Sequence, residues 1–234
     1  MRTGPFRVQG YGDRMRVTIF GGHGKVALLL APLLVEAGHE VRSVIRNPDH
    51  VGEVEATGAA AVVASIEGAD HDAMVALLAH QDAVVWSAGA GGGDPARTMA
   101  VDRDGAIRSM DAAKADGVGR YVMVSFSGAF REHMVGPDDP FRPYMEAKIA
   151  ADEHLRASGL DWTILAPGPL TLDAGKGRVN PGATRGEGDT APRELVAQVA
   201  AAVLDDPRAS RRTLTIGEGD VPIDDWLASL PAED

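Results

Sequence analysis

The 234-residue chain contains no cysteine. Disulfides, thiolate nucleophiles and cysteine-bound zinc are thereby excluded. Positive charge is the minority sign, with 23 Lys and Arg against 34 Asp and Glu and a net charge of −11. Nucleic acid and anionic membranes both require a cationic face, so neither is expected as a partner, although a local basic pocket for phosphate fits this balance. Long apolar runs are also missing. The longest, Val26 to Val35, is far short of the ~20 residues needed to cross a bilayer. The opening M-R-T-G-P-F-R-V-Q-G lacks the apolar core of a signal peptide, so a soluble cytoplasmic protein is expected. Histidines stand at 23, 39, 50, 71, 80, 133 and 154 without ligand spacing, and no metal site is expected. No internal repeat or low-complexity segment is found.

What is present suits one large domain. Hydrophobic residues make up 44% of the chain and charged residues 24%, enough for an ordinary globular core. Strands are expected at 15–20, 40–45, 60–64, 82–86, 120–125, 161–165 and 212–216. Helices are expected at 24–37, 48–57, 70–79, 95–116, 142–158, 192–205 and 223–230. The strand sequences V-R-S-V-I, A-A-V-V-A, A-V-V-W and Y-V-M-V are nearly continuous in apolar residues, as in a parallel sheet covered on both faces. Strands alternating with helices of this length form βαβ units. The expectation is an α/β, doubly wound, mostly parallel seven-stranded sheet. Residues 1–14 show no periodicity and are expected to be a flexible extension, with a single domain over 15–234. The Gly-, Pro-, Asp- and Thr-rich stretch 168–191 reads as a loop over a binding cleft. It and residues 217–234 would form the small substrate side.

Ligands of such folds bind outside the carboxyl ends of the strands. After the first strand comes G-G-H-G-K-V-A, residues Gly21 to Ala27. A glycine turn between strand and helix brings backbone N–H groups and a helix N-terminus against a diphosphate. Gly21 can adopt positive φ, and Gly24 leaves space that a Cβ would occupy. His23, Lys25 and Val26 complete the turn. After the second strand stand Arg46 and Asn47. A dinucleotide site for NAD places an acidic residue there to bind ribose hydroxyls; a guanidinium instead clamps a 2′-phosphate. That favours NADP (NADPH), with Lys25 adding charge nearby. Ser65 and Ile66 follow the third strand, Ser87, Ala88 and Gly89 the fourth, and Pro167 and Gly168 the sixth.

The chemical signal is Tyr144 and Lys148 in Y-M-E-A-K, opening a helix after Pro143. Residues four apart share a helix face. A cation near a phenol lowers its pKa, which fits the phenol for proton exchange with a carbonyl or hydroxyl near neutral pH. Lys148 can also hold a nicotinamide ribose. Ser125 and Ser127 both follow the fifth strand; Ser127, in the third position of S-F-S, is preferred as a hydrogen-bond donor to the same oxygen.

With these residues assembled, residues 15 to 220 resemble the short-chain dehydrogenase/reductase family. The closer likeness is to its atypical, short, NAD(P)-binding members labelled NAD-dependent epimerase/dehydratase-like. The motifs are G-G-H-G-K-V-A, V-I-R-N-P, G-V-G-R-Y-V-M-V-S, the segment from Tyr144 to Thr171, and P-R-E-L-V-A. The resemblance implies a Rossmann fold holding NADP between the strand ends and the 168–190 loop. It implies cofactor contacts at Gly21, Gly24, Lys25, Val26, Arg46, Ala88, Lys148 and Pro167, and catalytic positions at Ser127, Tyr144 and Lys148. Two positions depart from the pattern. Ser65 stands where the family commonly has an aspartate, and Ala166-Pro167-Gly168 replaces R-P-G. The short region beyond the sixth strand argues against a bulky sugar nucleotide. The expected function is an NADP-dependent oxidoreductase or epimerase-like enzyme on a small carbonyl or alcohol, as a monomer or homodimer. A flavin or quinone reductase and a non-catalytic NADP(H)-sensing regulator are the alternatives.

Overall fold

The computed structural model describes residues 14–91, 94–184 and 190–231. The expected N-terminal extension therefore lies, except for Arg14, outside the described residues. Val17 to Phe20 are fully buried in strand β1 (Arg16–Phe20), and the chain then turns at Gly21 with φ +78°. Helix α1 (Ala27–Glu36) begins three residues later than the apolar pattern predicts. Gly24 N–H is engaged by the Gly21 carbonyl at 2.8 Å, so residues 21–26 form the turn itself. Strand β2 (Glu40–Ile45) follows. A 3₁₀ turn at Pro48–His50, capped by Asn47, leads into α2 (Val51–Glu55). Next come β3 (Ala60–Val63), α3 (His71–Leu78) and β4 (Ala83–Trp86).

The helix expected over 95–116 is three pieces: α4 (Pro95–Thr98), a π-helical segment Met99–Gly105, and α5 (Ala106–Asp116). Hydrophobic spacing does not distinguish a π turn from an α turn, but π segments recur where a side chain must be re-aimed. Strand β5 (Arg120–Val124), helix α6 (Arg142–Ala157) and strand β6 (Asp161–Pro167) follow. The stretch expected to be a loop holds three short strands, β7 (Leu170–Thr171), β8 (Arg178–Val179) and β9 (Ala191–Pro192). Its residues 185–189 lie outside the described residues. Helix α7 (Arg193–Leu204), strand β10 (Arg212–Ile216), strand β11 (Val221–Pro222) and helix α8 (Ile223–Ala228) complete the order.

Seven strands form one sheet in the order β3-β2-β1-β4-β5-β6-β10, and every pairing in it is parallel. This is a Rossmann-type fold. Alternate residues feed alternate faces. Val17, Ile19, Val85, Val122 and Leu165 pack with Leu30, Leu34, Leu195, Val199 and Trp226 of α1, α7 and α8. Phe20, Val84, Trp86, Tyr121, Met123 and Ile164 pack with Met74, Leu78, Met110 and Leu155 of α3, α5 and α6. Two small sheets, β7 with β9 and β8 with β11, lie outside the main one. No helix among the described residues is long and apolar enough to cross a membrane.

Candidate active site and nucleotide cleft

The chain leaves β1 toward β2 on one side and later returns to β4 on the other. The strand order therefore reverses between β1 and β4, which is where a crevice opens at the carboxyl ends. Two cavities meet there, and both are walled by Gly24, Ser87, Ala88 and Gly89. A Cβ at Gly21 would lie 2.6 Å from Ala88 Cα, so its absence lets the turn close onto the end of β4. A Cβ at Gly24 would sit 3.0 Å from the Gly21 carbonyl oxygen and 3.7 Å from that of Ser87. Bare backbone thus faces the junction of the two cavities just before α1, whose Leu28, Leu29 and Leu30 N–H groups are already engaged by the Gly24 and Val26 carbonyls. That cradle fits a diphosphate.

The smaller cavity, about 300 Å³, is lined by Gly21, His23, Gly24, Arg46, Asn47, Ser65, Ile66, Ala88 and Gly89. All nine are sequence candidates for cofactor binding, and the fold brings them together. Asn47 Oδ1 also accepts from Asp49 N–H at 3.1 Å, capping the 3₁₀ turn. His23 stacks on His50 with ring centroids 3.5 Å apart and lies 3.1 Å from Glu53 Oε2. Glu67 and Arg97 line the same cavity; the sequence pattern did not single them out.

The larger cavity, about 1100 Å³, holds Lys25, Val26, Ser125, Tyr144 and Lys148 on its wall. Pro137 to Phe141, Leu170 and Arg193 line it as well. Tyr144 is half-buried, its ring 5.2 Å from that of Phe126 and 5.1 Å from that of Phe141. Lys148 is only 2% exposed, and its Nζ donates to the Val124 carbonyl at 2.8 Å. The spacing of four in α6 does bring the two side chains to one cavity. It does not lower the phenol's pKa: burial, then the carboxylates of Asp102 and Asp152, push Tyr144 above the ordinary tyrosine value. The sequence argument counted the nearby cation and had no view of the two acids.

Those acids are the main residues the sequence pattern missed. Asp102, in the π-helical segment, is 2% exposed and lines the larger cavity. Its Oδ2 accepts from Ala90 N–H at 2.8 Å. Burial raises its pKa, with Lys148, the Ala90 N–H and Arg97 acting against the shift. Asp152 is 1% exposed and accepts from the Ser125 hydroxyl at 2.7 Å. Its carboxyl is pushed up to about 6 by burial, against the pull of Lys148, Ser125 and Arg156. One signal for Asp152 was available: Tyr144, Lys148, Asp152 and Arg156 recur every four residues along α6. Asp102 had none.

Three candidates stand elsewhere. Ser127 is buried away from both cavities, its N–H donating to the Pro167 carbonyl at 2.8 Å, whereas Ser125 lines the larger cavity. Pro167 and Gly168 line neither cavity. Strand β6 runs two residues further than its apolar pattern indicates, so Pro167 still pairs with Ile216 of β10, and Gly168 N–H donates to the Ile216 carbonyl at 3.0 Å. The extended ladder keeps both residues inside the sheet edge. Among the described residues no cluster of His, Asp or Glu is arranged to hold a metal.

The chain is similar to known proteins. The sequence profile of a family described as NAD(P)H-binding matches residues 21–207. The chain is 34% identical over 219 residues to the Bacillus subtilis protein named uncharacterized sugar epimerase YhfK, covering 92% of this chain and 100% of the relative. It is 33% identical to the UPF0659 protein YMR090W of Saccharomyces cerevisiae, over 92% of this chain and 99% of that one. Among solved structures, a Bacillus halodurans protein described as a candidate NAD-dependent epimerase/dehydratase superposes with a TM-score of 0.84 at 34% identity. That match spans 92% of this chain and 100% of the other. A glycine cradle at the strand-order reversal, a profile match over most of the chain and full-length relatives agree: this protein belongs to the NAD(P)H-binding family of atypical short-chain dehydrogenase/reductase-like proteins.

Proposed function

We propose that the protein is an NADPH-dependent oxidoreductase, or an epimerase-type enzyme using the same hydride chemistry, acting on a small carbonyl or alcohol. The observation that carries this reading is the joining of two cavities at Gly24 and Ser87–Gly89, with the glycine cradle opening on both and Tyr144 and Lys148 on the wall of one. The names of the Bacillus subtilis and Bacillus halodurans relatives point the same way. Arg46 beside the adenosine-side cavity supports NADPH as the nucleotide, since a guanidinium binds phosphate oxygens and accepts nothing from a hydroxyl.

In this reading Gly21 to Val26 hold the diphosphate, and Lys148 holds the nicotinamide ribose. The lysine ammonium has three donors, one of which is engaged by Val124. A nicotinamide held there would supply the hydride for the carbonyl carbon. Tyr144 Oη gives its proton to the carbonyl oxygen, so ketone or aldehyde becomes alcohol. A phenol held above its ordinary pKa is protonated throughout the neutral range, the form needed for reduction. Ser125 takes the serine position in place of Ser127; its proton points to Asp152, so toward substrate it acts as an acceptor. The rings of Phe126 and Phe141 pack against that of Tyr144 and hold its orientation.

The test is NADPH oxidation with a panel of aldehydes, ketones, quinones and flavins. Tyr144→Phe keeps the ring and should lower carbonyl turnover by roughly 10²–10⁴-fold, with NADPH affinity nearly unchanged. Lys148→Met should damage both turnover and nucleotide binding. Wild-type rates in Tyr144→Phe on every accepted substrate would remove the acid role and leave a flavin-type reductase or a nucleotide sensor.

A further inference from the structure

The adenosine-side cavity contains an ion cluster that the cofactor reading does not use. Glu67 Oε2 lies 3.6 Å from Arg46 NH1 and 3.3 Å from Arg97 Nε. All three side chains line the cavity. Arg97 is tethered, with NH1 donating to the Ala90 carbonyl at 2.7 Å. The backbone of Glu67 is tethered too. Arg108, reaching from α5, donates to the Ile66 carbonyl at 3.1 Å and to that of Glu67 at 3.3 Å. Arg46 differs, its side chain 61% exposed and in ion-pair rather than hydrogen-bond range of Glu67. A fixed carboxylate therefore stands between a fixed guanidinium and a movable one.

We infer that Glu67 sets the nucleotide preference, by occupying the cations a 2′-phosphate would use and by offering an acceptor to a free 2′-hydroxyl. This rests on the reading that the cavity takes the adenosine half of a nicotinamide dinucleotide. A carboxylate in a dinucleotide pocket accepts hydrogen bonds from ribose hydroxyls, the role that Arg46 cannot fill. A 2′-phosphate near Arg46 must instead draw that arginine from Glu67 and remain close to a second anion. The wild-type protein consequently prefers NADPH only modestly. His23 and His50 stack on each other in the same cavity, and His23 is directed to Glu53 rather than to Glu67.

The experiment is equilibrium binding of NADPH and NADH, by calorimetry at one fixed ionic strength, to wild type, Glu67→Gln and Glu67→Ala. No substrate is needed. Half-exposed ion pairs are worth a few-fold in binding, so Glu67→Gln should raise the NADPH-over-NADH affinity ratio by roughly three- to tenfold, and Glu67→Ala should move it the same way. In an Arg46→Ala background the gain from Glu67→Gln should shrink at least twofold, because one of the two freed cations is gone, while Arg97 and the lost 2′-hydroxyl acceptor keep the remainder. A ratio within twofold of wild type in both Glu67 variants overturns the inference while leaving the cofactor reading standing. A gain undiminished without Arg46 also overturns it, since Glu67 would then not be holding Arg46 from the phosphate. A wild-type chain that binds neither nucleotide removes the cofactor reading and this inference together.

Discussion

Tyr144 and Lys148 stand four residues apart on one helix, yet their surroundings differ. The lysine is committed to a backbone carbonyl at the end of β5, and the phenol lies among phenyl rings under the influence of two buried acids. Burial and like charge, rather than the neighbouring cation, decide the phenol's state. The glycine turn offers a cleaner test because it needs no substrate. Gly24→Val fills the junction of the two cavities, and we expect nucleotide binding to be lost while far-UV circular dichroism stays near wild type. Undiminished affinity in that folded variant would place the diphosphate elsewhere. Residues that announce themselves by type and position, such as Gly21, Arg46, Tyr144 and Lys148, line the cleft to which the sequence assigned them. Ser127 and Pro167 line neither cavity, because β6 runs on to Pro167 in its ladder with β10 and Ser127 N–H donates to the Pro167 carbonyl. Asp102 and Glu67 gave no pattern, since an acid in a helix or after a strand is ordinarily solvated.

At the scale of elements, α6 carries Tyr144, Lys148, Asp152 and Arg156 on one edge. Asp152 is the member buried most deeply against its own charge, and its Oδ1 has no hydrogen-bond partner among the described residues. Its carboxyl is pushed up to about 6 from the model-compound value of 3.8. A folded-state value above the unfolded one means that the folded state binds more protons between the two. Stability from this group is therefore present below about pH 4 and is lost as pH rises through about 6. The size is on the order of 3 kcal/mol. In urea denaturation across pH 4–7.5, the stability of Asp152→Asn relative to wild type should climb by an amount of that order through this window and then level. A flat difference would mean that Lys148 and Arg156 hold Asp152 ionised throughout. The strands and most helices were legible because apolar period and length agree. The split of 95–116 into α, π and α segments was not, since the same residues satisfy either turn.

For the whole molecule, the parallel sheet is a rigid partition between two apolar layers, and the cleft lies along its carboxyl edge. The nucleotide cradle draws on the ends of β1, β2, β3 and β4, whereas Tyr144 and Lys148 come from α6 beyond β5. A ligand spanning both cavities therefore ties together elements distant in sequence. Binding to the folded state alone stabilises it by about 2.7 kcal/mol at a hundredfold excess over Kd. For a chain of this length that is an upward Tm shift of roughly 5–10 °C. Thermal scans with NADPH should show this shift in wild type and in Tyr144→Phe, and its absence in Gly24→Val. A shift lost in Tyr144→Phe would mean that the phenol is needed for binding as well as for the proposed chemistry.

The turn after β1 carries two constraints of different kinds. Added Cβ atoms at Gly21 and Gly22 would lie 2.6 Å from Ala88 Cα and 2.5 Å from Ser43 Cβ, inside the joint between neighbouring strands, whereas at Gly24 the nearest atom is 3.0 Å away, on the rim of the cavities. In a saturation library scored separately for cellular abundance and for nucleotide retention, positions 21 and 22 should be depleted in the first score. Position 24 should pass the first and fail the second. A single exchange at 24 is thus the shortest route by which a descendant of this chain sheds its nucleotide and keeps its scaffold, free to be recruited for work that involves no chemistry.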